Sequence, residues 1–126
     1  MLVCLCLCQC LFQVLSTGYS RELLGNTHAE ECCFLKLAHQ GRMRFEGATM
    51  YTTMEPCSTR LSGKTSCTDL ILSNKLSRVV FAVKEPTNFV ICTGAATLEQ
   101  AGLDVVHLKA FEKAALAVNK HIVLTQ

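Results

Sequence analysis

The sequence predicts an α/β fold in which helices pack on both faces of a central sheet. Short apolar runs over residues 78–83 (RVVFAV) and 104–108 (DVVHL) are typical of buried strands in a parallel sheet, and helical patterns alternate with them. Half of the 126 residues are hydrophobic and 17% are charged, which is enough apolar material for one packed core. We therefore expect a single domain over residues 1–126 with a three-layer α/β/α sandwich architecture.

The first twelve residues are rich in cysteine and leucine. Four cysteines fall on one face of a strand: Cys4, Cys6, Cys8 and Cys10. A buried strand is the favoured interpretation, because a free thiol packs as a small hydrophobe, and a cysteine-rich metal tract is the alternative. Residues 13–20 continue as strand, compatible with a hairpin that turns at residues 9–12. The stretch could pass for the apolar part of a signal peptide, but it lacks the positively charged leader of one. It is also too short to span a membrane.

The remaining elements are predicted from caps and breakers. Thr27 is expected to be the N-cap of a helix over residues 28–40, which ends near Gly41. A strand over residues 48–54 stops before Pro56, because proline cannot extend the interior of a sheet. The other expected elements are a polar loop over residues 57–66, helices over residues 67–76, 95–101 and 109–120, and the two strands named above.

Charge and cysteine content narrow the class of function. The formal net charge is +2 without a cluster of Lys and Arg, so the sequence gives no electrostatic case for a nucleic-acid partner. Nine cysteines is an odd number, and the chain has a large apolar fraction of its own, which together favour a reduced setting over a disulfide-bonded secreted one. We expect a cytoplasmic protein, with the nucleus as the alternative compartment, and no membrane association.

Three short fragments form the pattern of a zinc site. A hydrolytic zinc site uses three protein ligands and keeps its fourth position for water, and one imidazole with two thiolates meets that need. His28, Glu30, Pro56 and Cys57 match the H-x-E and P-C parts of the zinc deaminase signature. The second cysteine departs from it, because nine residues separate Cys57 from Cys67 instead of two. We predict His28, Cys57 and Cys67 as zinc ligands and Glu30 as the proton shuttle.

Each of these residues also has a purely structural interpretation. His28 can cap the helix, and Cys57 and Cys67 can be buried structural thiols. Glu30 favours a helix N-terminus by its charge in any case. The order of the fragments and their predicted helix and strand contexts favour the zinc site over these alternatives.

The long spacing between the cysteines points to a particular family. Residues 55–67 (EPCSTRLSGKTSC) resemble the extended zinc loop of riboflavin-pathway pyrimidine deaminases, in which Gly-Lys-Thr lies between the two cysteines. Residues 15–22 (LSTGYSRE), 25–30 (GNTHAE) and 51–58 (YTTMEPCS) resemble the fungal diaminohydroxyphosphoribosylaminopyrimidine deaminases in particular. The resemblance covers residues 13–108, most of the chain. It implies a cytidine deaminase-like fold with a mixed central sheet.

The resemblance also implies a substrate and further site residues. The substrate would be a phosphorylated diaminopyrimidinone with a ribitylamino or ribosylamino group, and water would replace an exocyclic amine. Ser58, Arg60, Lys64 and Thr65 are suggested as contacts to this substrate or its phosphate, and such a loop offers charge-assisted donors to an anion. A solvated loop charge is the alternative for Arg60 and Lys64. Asn26 either shapes its turn or hydrogen-bonds the pyrimidine.

The chain departs from the family at its start. Family members usually open with a helix and then a strand that often contributes an Asn to base binding, whereas this chain opens with its cysteine-rich strand. We therefore expect the N-terminal helix to be missing, and an exposed sheet edge to favour a homodimer.

Two other functions stay open from the sequence. One is a deaminase of cytosine or adenine nucleosides or of tRNA, against which the long Cys57–Cys67 loop and the lack of a basic surface with aromatic residues count. The other is a catalytically inactive, zinc-stabilised deaminase-like domain. The presence of Glu30 counts against it, because a structural zinc ion needs no proton shuttle.

Overall fold

The fold comes from a computed structural model that describes residues 3–8, 13–42, 45–86 and 91–118, the first of these ranges as backbone. The strands in these ranges are β1 (Val3–Cys8), β2 (Gln13–Tyr19), β3 (Thr49–Met54), β4 (Arg78–Val83) and β5 (Asp104–His107). The helices are α1 (Ala29–His39), α2 (Cys67–Ser73), α3 (Gly94–Gln100) and α4 (Glu112–Ala117), with a 3-10 turn over Lys109–Phe111 before α4.

The strands form one mixed sheet in the order β2-β1-β3-β4-β5. β1 pairs antiparallel with both β2 and β3, whereas β3, β4 and β5 run parallel to one another. Parallel neighbours need a crossover connection, and α2 and α3 lie in the two connections. The mixed sheet is therefore the one that the sequence predicted, and the carboxyl ends of β3, β4 and β5 meet at one edge.

Helices cover both faces of the sheet, as predicted. On one face, the main core joins α1, α2 and α3 to the sheet through buried residues that include Ala29, Phe34, Leu37, Met50, Ile71, Val79 and Leu98. On the other face, Ala82 of β4 packs with Ala115 and Leu116 of α4. Val79 and Ala82 lie an odd number of positions apart, so their side chains point to opposite faces of the strand.

The N-terminal hairpin is present as antiparallel pairing of β1 with β2, which confirms that part of the prediction. Its turn at residues 9–12, and the predicted burial of the cysteine side chains at positions 4, 6, 8 and 10, lie outside what the structure describes. Among the described residues, no helix is long and apolar enough to cross a membrane.

The prediction of Thr27 as the N-cap of α1 was wrong. His28 is the N-cap, and α1 begins at Ala29. The Thr27 hydroxyl instead donates to the Leu23 carbonyl at 2.8 Å and accepts from the Leu23 N–H at 3.3 Å. Its hydrogen-bonding capacity therefore closes the preceding loop, an alternative to capping that threonine side chains commonly take.

Two helices differ from their predicted extents by more than one residue at an end. The helix predicted for residues 109–120 begins as a 3-10 turn and becomes α-helical only at Glu112, while its last two predicted residues lie outside the described part of the chain. Helix α2 ends at Ser73 instead of residue 76. Lys75 has a φ of +54°, a left-handed conformation that cannot continue a helix.

Helix α1 packs directly on β2 at a glycine. A Cβ atom on Gly18 would lie 2.4 Å from the Ala29 carbonyl oxygen, and 3.1 Å from both Cys32 Cβ and Cys33 Sγ. The first of these atoms belongs to the helix backbone and cannot move aside without shifting the start of α1. The absence of a side chain at residue 18 therefore sets the distance between β2 and the helix that carries His28.

Replacing Gly18 by Ala is expected to destabilise the fold by about 1–3 kcal/mol, the usual cost of overpacking, because the new methyl group must displace α1. Thermal or urea unfolding measures the change in the free energy of unfolding. Thr17→Ala is the matched control, because Thr17 is the exposed neighbour on the same strand. Equal stability of Gly18→Ala and Thr17→Ala would contradict the close contact between β2 and α1.

Candidate metal centre

His28 is held by a tight loop before it and a helix cap after it. Gly25 and Asn26 have positive φ angles of +91° and +54°, a conformation that glycine and asparagine adopt at low cost. His28 then has extended backbone angles as the N-cap of α1. Its N–H donates to Glu31 Oε2 at 3.2 Å, which is one half of a capping box. The backbone is therefore fixed on both sides of the imidazole.

Cys57 lies in a turn just beyond the end of β3. The Glu55 N–H donates to the Val83 carbonyl at 2.7 Å and extends the pairing with β4 by one bond. Pro56 has no N–H to donate, so strand pairing stops there. Thr68 of α2 then donates to the Cys57 carbonyl from its hydroxyl at 3.0 Å and from its N–H at 3.1 Å. The turn is therefore tied to the first residues of α2.

Cys67 is the first residue of α2. Ser66 caps this helix, and its hydroxyl accepts from the Asp69 N–H at 3.1 Å. The Cys67 N–H donates to Cys57 Sγ at 3.3 Å. A backbone N–H at a helix start stabilises a thiolate. The start of α2 therefore stabilises the sulfur of Cys57 and also carries Cys67.

The start of α3 braces the same turn from the opposite side. The Glu55 carboxylate accepts from the Ala95 N–H at 3.0 Å and from the Glu85 N–H at 3.4 Å. Gly94 packs so closely that a Cβ atom there would lie 1.9 Å from the Pro56 carbonyl oxygen. The turn that presents Cys57 is therefore held between α2 and α3.

The predicted ligands come together with the spacing of a zinc site. His28 Nδ1 lies 3.6 Å from Cys57 Sγ and 3.5 Å from Cys67 Sγ. All three ligand atoms lie within 4.8 Å of one another. Tetrahedral zinc with bonds of about 2.0 Å to nitrogen and about 2.3 Å to sulfur separates such a nitrogen and sulfur by about 3.5 Å. The donor set therefore fits zinc and leaves a fourth position for water.

Glu30 lies in the first turn of α1, beside the three ligands. Its Oε2 is 3.5 Å from Cys67 Sγ, and its side chain is buried. Burial raises the pKa of Glu30 above its ordinary value. A carboxyl group whose pKa is moved toward neutrality both accepts and donates protons more readily at physiological pH, which is the property that a proton shuttle requires.

The two thiols and the imidazole of the candidate centre shift one another's pKa values. The hydrogen bond from Cys67, followed by that from His28, lowers the pKa of Cys57 to about 4. The hydrogen bond to Cys57 and burial raise the pKa of Cys67, and the hydrogen bond with Cys57 raises the pKa of His28. Because metal ligands must be deprotonated, binding of zinc releases protons from this group.

Arg60, one of the predicted substrate contacts, is buried and bonded within the protein. Its Nη1 donates to Glu31 Oε2 at 2.7 Å and its Nη2 to the Asn26 carbonyl at 2.7 Å. Burial raises the pKa of Glu31, but the hydrogen bonds from Arg60 and the His28 N–H and the charges of Arg60 and Lys64 together outweigh it, so the pKa is lowered. Arg60 Nε is buried and has no acceptor among the described residues.

The other predicted substrate contacts from the loop also lie near α1 and α3. Lys64 donates to the Gly25 carbonyl, and the Ser58 hydroxyl accepts from the Thr93 N–H at 3.1 Å. Lys64 and Thr65 line a cavity of about 490 Å³ between α1 and α2, which is not lined by the candidate zinc ligands or Glu30. Contact of these residues with substrate stays a prediction.

Sequence reasoning missed the roles of Glu31 and Glu55. Glu31 lies three residues after the N-cap, the spacing of a capping box, so that signal was available once His28 is recognised as the cap. The partners of the Glu55 carboxylate lie 30 and 40 residues away in the chain, and no local pattern reveals them.

The mixed sheet and the His/Cys/Cys centre define a class of protein, the zinc-binding deaminase domains. The protein-family model for the cytidine and deoxycytidylate deaminase zinc-binding region matches residues 3–83, and the chain belongs to this family. That range contains His28, Glu30, Cys57 and Cys67. The predicted cofactor, zinc, is the metal of the family.

Within this class, the chain is similar to deaminases of riboflavin biosynthesis. It is 52% identical over 101 residues to the diaminohydroxyphosphoribosylamino-pyrimidine deaminase of Schizosaccharomyces pombe, covering 79% of this chain and 25% of that protein. It is 36% identical to the riboflavin biosynthesis protein RibD of Escherichia coli, covering 75% of this chain and 24% of RibD. The chain thus spans about a quarter of the length of these relatives, and the predicted family resemblance is confirmed.

Solved structures agree with the fold. The Aspergillus oryzae Rib2 deaminase in complex with DARIPP matches with a TM-score of 0.74 and 30% identity, covering 93% of this chain and 75% of that one. The deaminase/reductase of Thermotoga maritima matches with a TM-score of 0.83 and 22% identity, covering 97% of this chain and 33% of that one. The predicted cytidine deaminase-like fold is therefore confirmed.

Proposed function

We propose that this chain catalyses the zinc-dependent hydrolytic deamination of a phosphorylated diaminopyrimidinone, with a ribitylamino or ribosylamino group, in riboflavin biosynthesis. The observation that carries the proposal is the placement of His28 Nδ1 at 3.5 and 3.6 Å from two cysteine sulfurs, with the buried Glu30 carboxylate beside them. Similarity to the Schizosaccharomyces pombe and Aspergillus oryzae deaminases supports the substrate class.

The residues of the centre have distinct roles in this reaction. His28, Cys57 and Cys67 would hold zinc, whose Lewis acidity makes water a nucleophile at neutral pH. Glu30 accepts a proton from the attacking water and donates it to the pyrimidine ring nitrogen. It then moves the second proton of that water to the exocyclic amine. A C–O bond forms, the C–N bond breaks, and ammonia leaves without any redox step.

A cavity of about 790 Å³ lies beside the Cys57 turn and is lined by Glu55, Glu85 and Cys92 among others. Cys92 Sγ is 3.5 Å from the Pro56 carbonyl. The candidate zinc ligands and Glu30 do not line this cavity. The proposed substrate contacts are Asn26, Ser58, Arg60, Lys64 and Thr65. For Arg60, the proposal is supported by its buried Nε, which has no hydrogen-bond acceptor among the described residues.

Ammonia release by the purified, zinc-loaded protein tests the substrate class. The substrates to compare are the ribitylamino and ribosylamino diaminopyrimidinone phosphates, cytidine and deoxycytidylate. We expect turnover of one diaminopyrimidinone, with kcat/KM at least about 100-fold above that for either cytosine compound, because polar groups matched to one base are left unpaired by another. Faster turnover of cytidine or deoxycytidylate would identify a nucleoside-type deaminase instead. A folded, zinc-bound protein without turnover of any of them would indicate an inactive domain.

We also propose that the protein is a homodimer in the cytoplasm. β2 is an edge strand of the sheet, and Val14 and Tyr19 on it are about half-exposed. An exposed edge strand offers unpaired backbone groups to a second chain. Sedimentation velocity at micromolar concentration is expected to show a dimer, and a boundary of monomer alone would count against this assembly.

The cytoplasmic compartment is supported by the state of the cysteines. The thiols of Cys32, Cys57, Cys67 and Cys92 are free, which suits a reducing compartment.

A further inference from the structure

A buried ion pair links the loop between the two cysteines to the start of α1. Arg60, in that loop, lies 2.7 Å from the carboxylate of Glu31 in the first turn of α1. The Arg60 side chain is 2% exposed and the Glu31 side chain 17% exposed. The contact spans 29 positions of the sequence, so it joins two segments that the local chain does not hold together.

The two partners of Arg60 lie on either side of His28. Nη2 binds the carbonyl of Asn26, two residues before the histidine, and Nη1 binds Glu31, three residues after it. The same oxygen of Glu31 that receives Arg60 also accepts the His28 N–H at 3.2 Å. A planar guanidinium with donors fixed in one plane can hold two such acceptors at once, which a lysine ammonium at the end of a flexible chain cannot do with the same geometry.

These contacts connect the histidine ligand to the cysteine ligands independently of any metal. Arg60 follows Cys57 by three residues, so its hydrogen bonds to Glu31 and the Asn26 carbonyl join the Cys57 turn to the backbone around His28. The bonds from Thr68 and the Cys67 N–H to Cys57 join the two cysteine segments to each other and do not involve α1. Arg60 therefore ties the cysteine loop to both sides of His28 without involving the ligand side chains, and Lys64 of the same loop adds a bond to the Gly25 carbonyl and a contact of 3.9 Å with Glu31.

We propose that Glu31 and Arg60 are positioning residues of the metal centre. They hold His28 Nδ1 at the distance from the two cysteine sulfurs that zinc requires, so that the site is formed before the metal arrives. The inference rests on the zinc site of the proposed function, and it adds a role in metal affinity for two residues that contact neither zinc nor the reacting atoms.

The test compares variants that break the pair with a variant that breaks a similar pair elsewhere. Glu31→Gln keeps an oxygen that can accept the His28 N–H but removes the charge that Arg60 contacts. Arg60→Met removes both donors while keeping a long side chain, and Arg60→Lys restores only the charge. Glu22→Gln is the matched control, because Glu22 pairs with Lys36 of α1 at 2.6 Å and belongs to no contact of the metal centre.

Zinc affinity is measured by competition with a chromophoric chelator, and ligand geometry by the visible absorption of the Co²⁺-substituted protein. We expect Glu31→Gln and Arg60→Met to weaken zinc binding by about 10–100-fold, as loss of groups that orient metal ligands commonly does, and to shift the Co²⁺ spectrum. Arg60→Lys should recover part of the affinity. Glu22→Gln should leave zinc affinity and the Co²⁺ spectrum unchanged, even if it lowers Tm.

The outcomes separate this inference from the proposed function. The positioning role would be overturned if Glu31→Gln and Arg60→Met bound zinc with wild-type affinity and showed the wild-type Co²⁺ spectrum. If Arg60→Met does not fold, Glu31→Gln decides the question. Absence of zinc binding by the wild-type protein would instead overturn the metal centre itself, whereas zinc binding without turnover would overturn the proposed reaction and leave the positioning role standing.

Discussion

Replacing Glu30 by Gln is expected to lower kcat by about 10²- to 10⁴-fold while the protein still binds one zinc ion per chain. Gln has the shape of Glu and can still hydrogen-bond, but it cannot take up a proton from water or pass one to the ring nitrogen, and such transfer contributes that much to typical rates. Glu30 is buried, and its carboxylate lies 3.5 Å from Cys67 Sγ. Ammonia release and metal analysis on the same preparation measure both effects.

The control for this variant is Glu46→Gln. Glu46 is an exposed carboxylate that pairs with Lys75 at 3.6 Å and lies outside the metal centre. It should retain the wild-type rate. Turnover of Glu30→Gln within tenfold of wild type would show that another group moves the protons, and loss of zinc from Glu30→Gln would show that Glu30 helps to hold the metal.

Replacing Cys67 by Ser is expected to abolish stable zinc binding and, with it, activity. A hydroxyl is a far weaker zinc ligand than a thiolate at neutral pH, because its proton is not readily lost. Loss of groups that only orient a ligand already costs about 10–100-fold in affinity, so loss of the ligand itself should exceed 100-fold. The Tm of wild type should rise on addition of zinc, by mass action, and that of Cys67→Ser should not. Metal analysis and thermal unfolding with and without zinc provide the measurement.

Cys92→Ser is the matched control for the cysteine variant. Cys92 lies near the same turn, and its thiol contacts the Pro56 carbonyl at 3.5 Å, a contact that a serine hydroxyl can also make. It does not belong to the group of ligand atoms that could hold a metal. Full zinc content in Cys67→Ser, or loss of zinc in Cys92→Ser to the same extent, would contradict the assignment of the ligands.

The parts of this structure that could be predicted from sequence depend on local patterns. The apolar runs of β4 and β5 and the proline after β3 fix those strands, because each pattern lies within a few residues. The zinc ligands were predictable for a similar reason: His28 caps a helix, Cys67 begins one and Cys57 follows a strand, so their order and local contexts could be recognised without their distances. The spacing of 3.5–3.6 Å between His28 Nδ1 and the two sulfurs could not be predicted, because it depends on contacts between segments that are distant in the chain.

The features that escaped prediction depend on tertiary contacts. Thr27 and His28 are adjacent and both can cap a helix, and only the bond of Thr27 to Leu23 decides between them. The internal partners of Arg60 could not be predicted, because Glu31 and Asn26 are 29 and 34 residues away in the chain. Contact of Arg60 with the substrate phosphate stays a prediction.

The most direct test of a zinc-dependent deaminase is ammonia release from the diaminopyrimidinone ribityl phosphate by one preparation, first stripped of metal with a chelator and then reloaded with zinc. We expect the stripped protein to be inactive, and activity to return in proportion to bound zinc up to one ion per chain. Turnover that is undiminished after zinc removal, or a well-folded protein that binds no zinc at all, would contradict the assignment of His28, Cys57 and Cys67 as the metal centre.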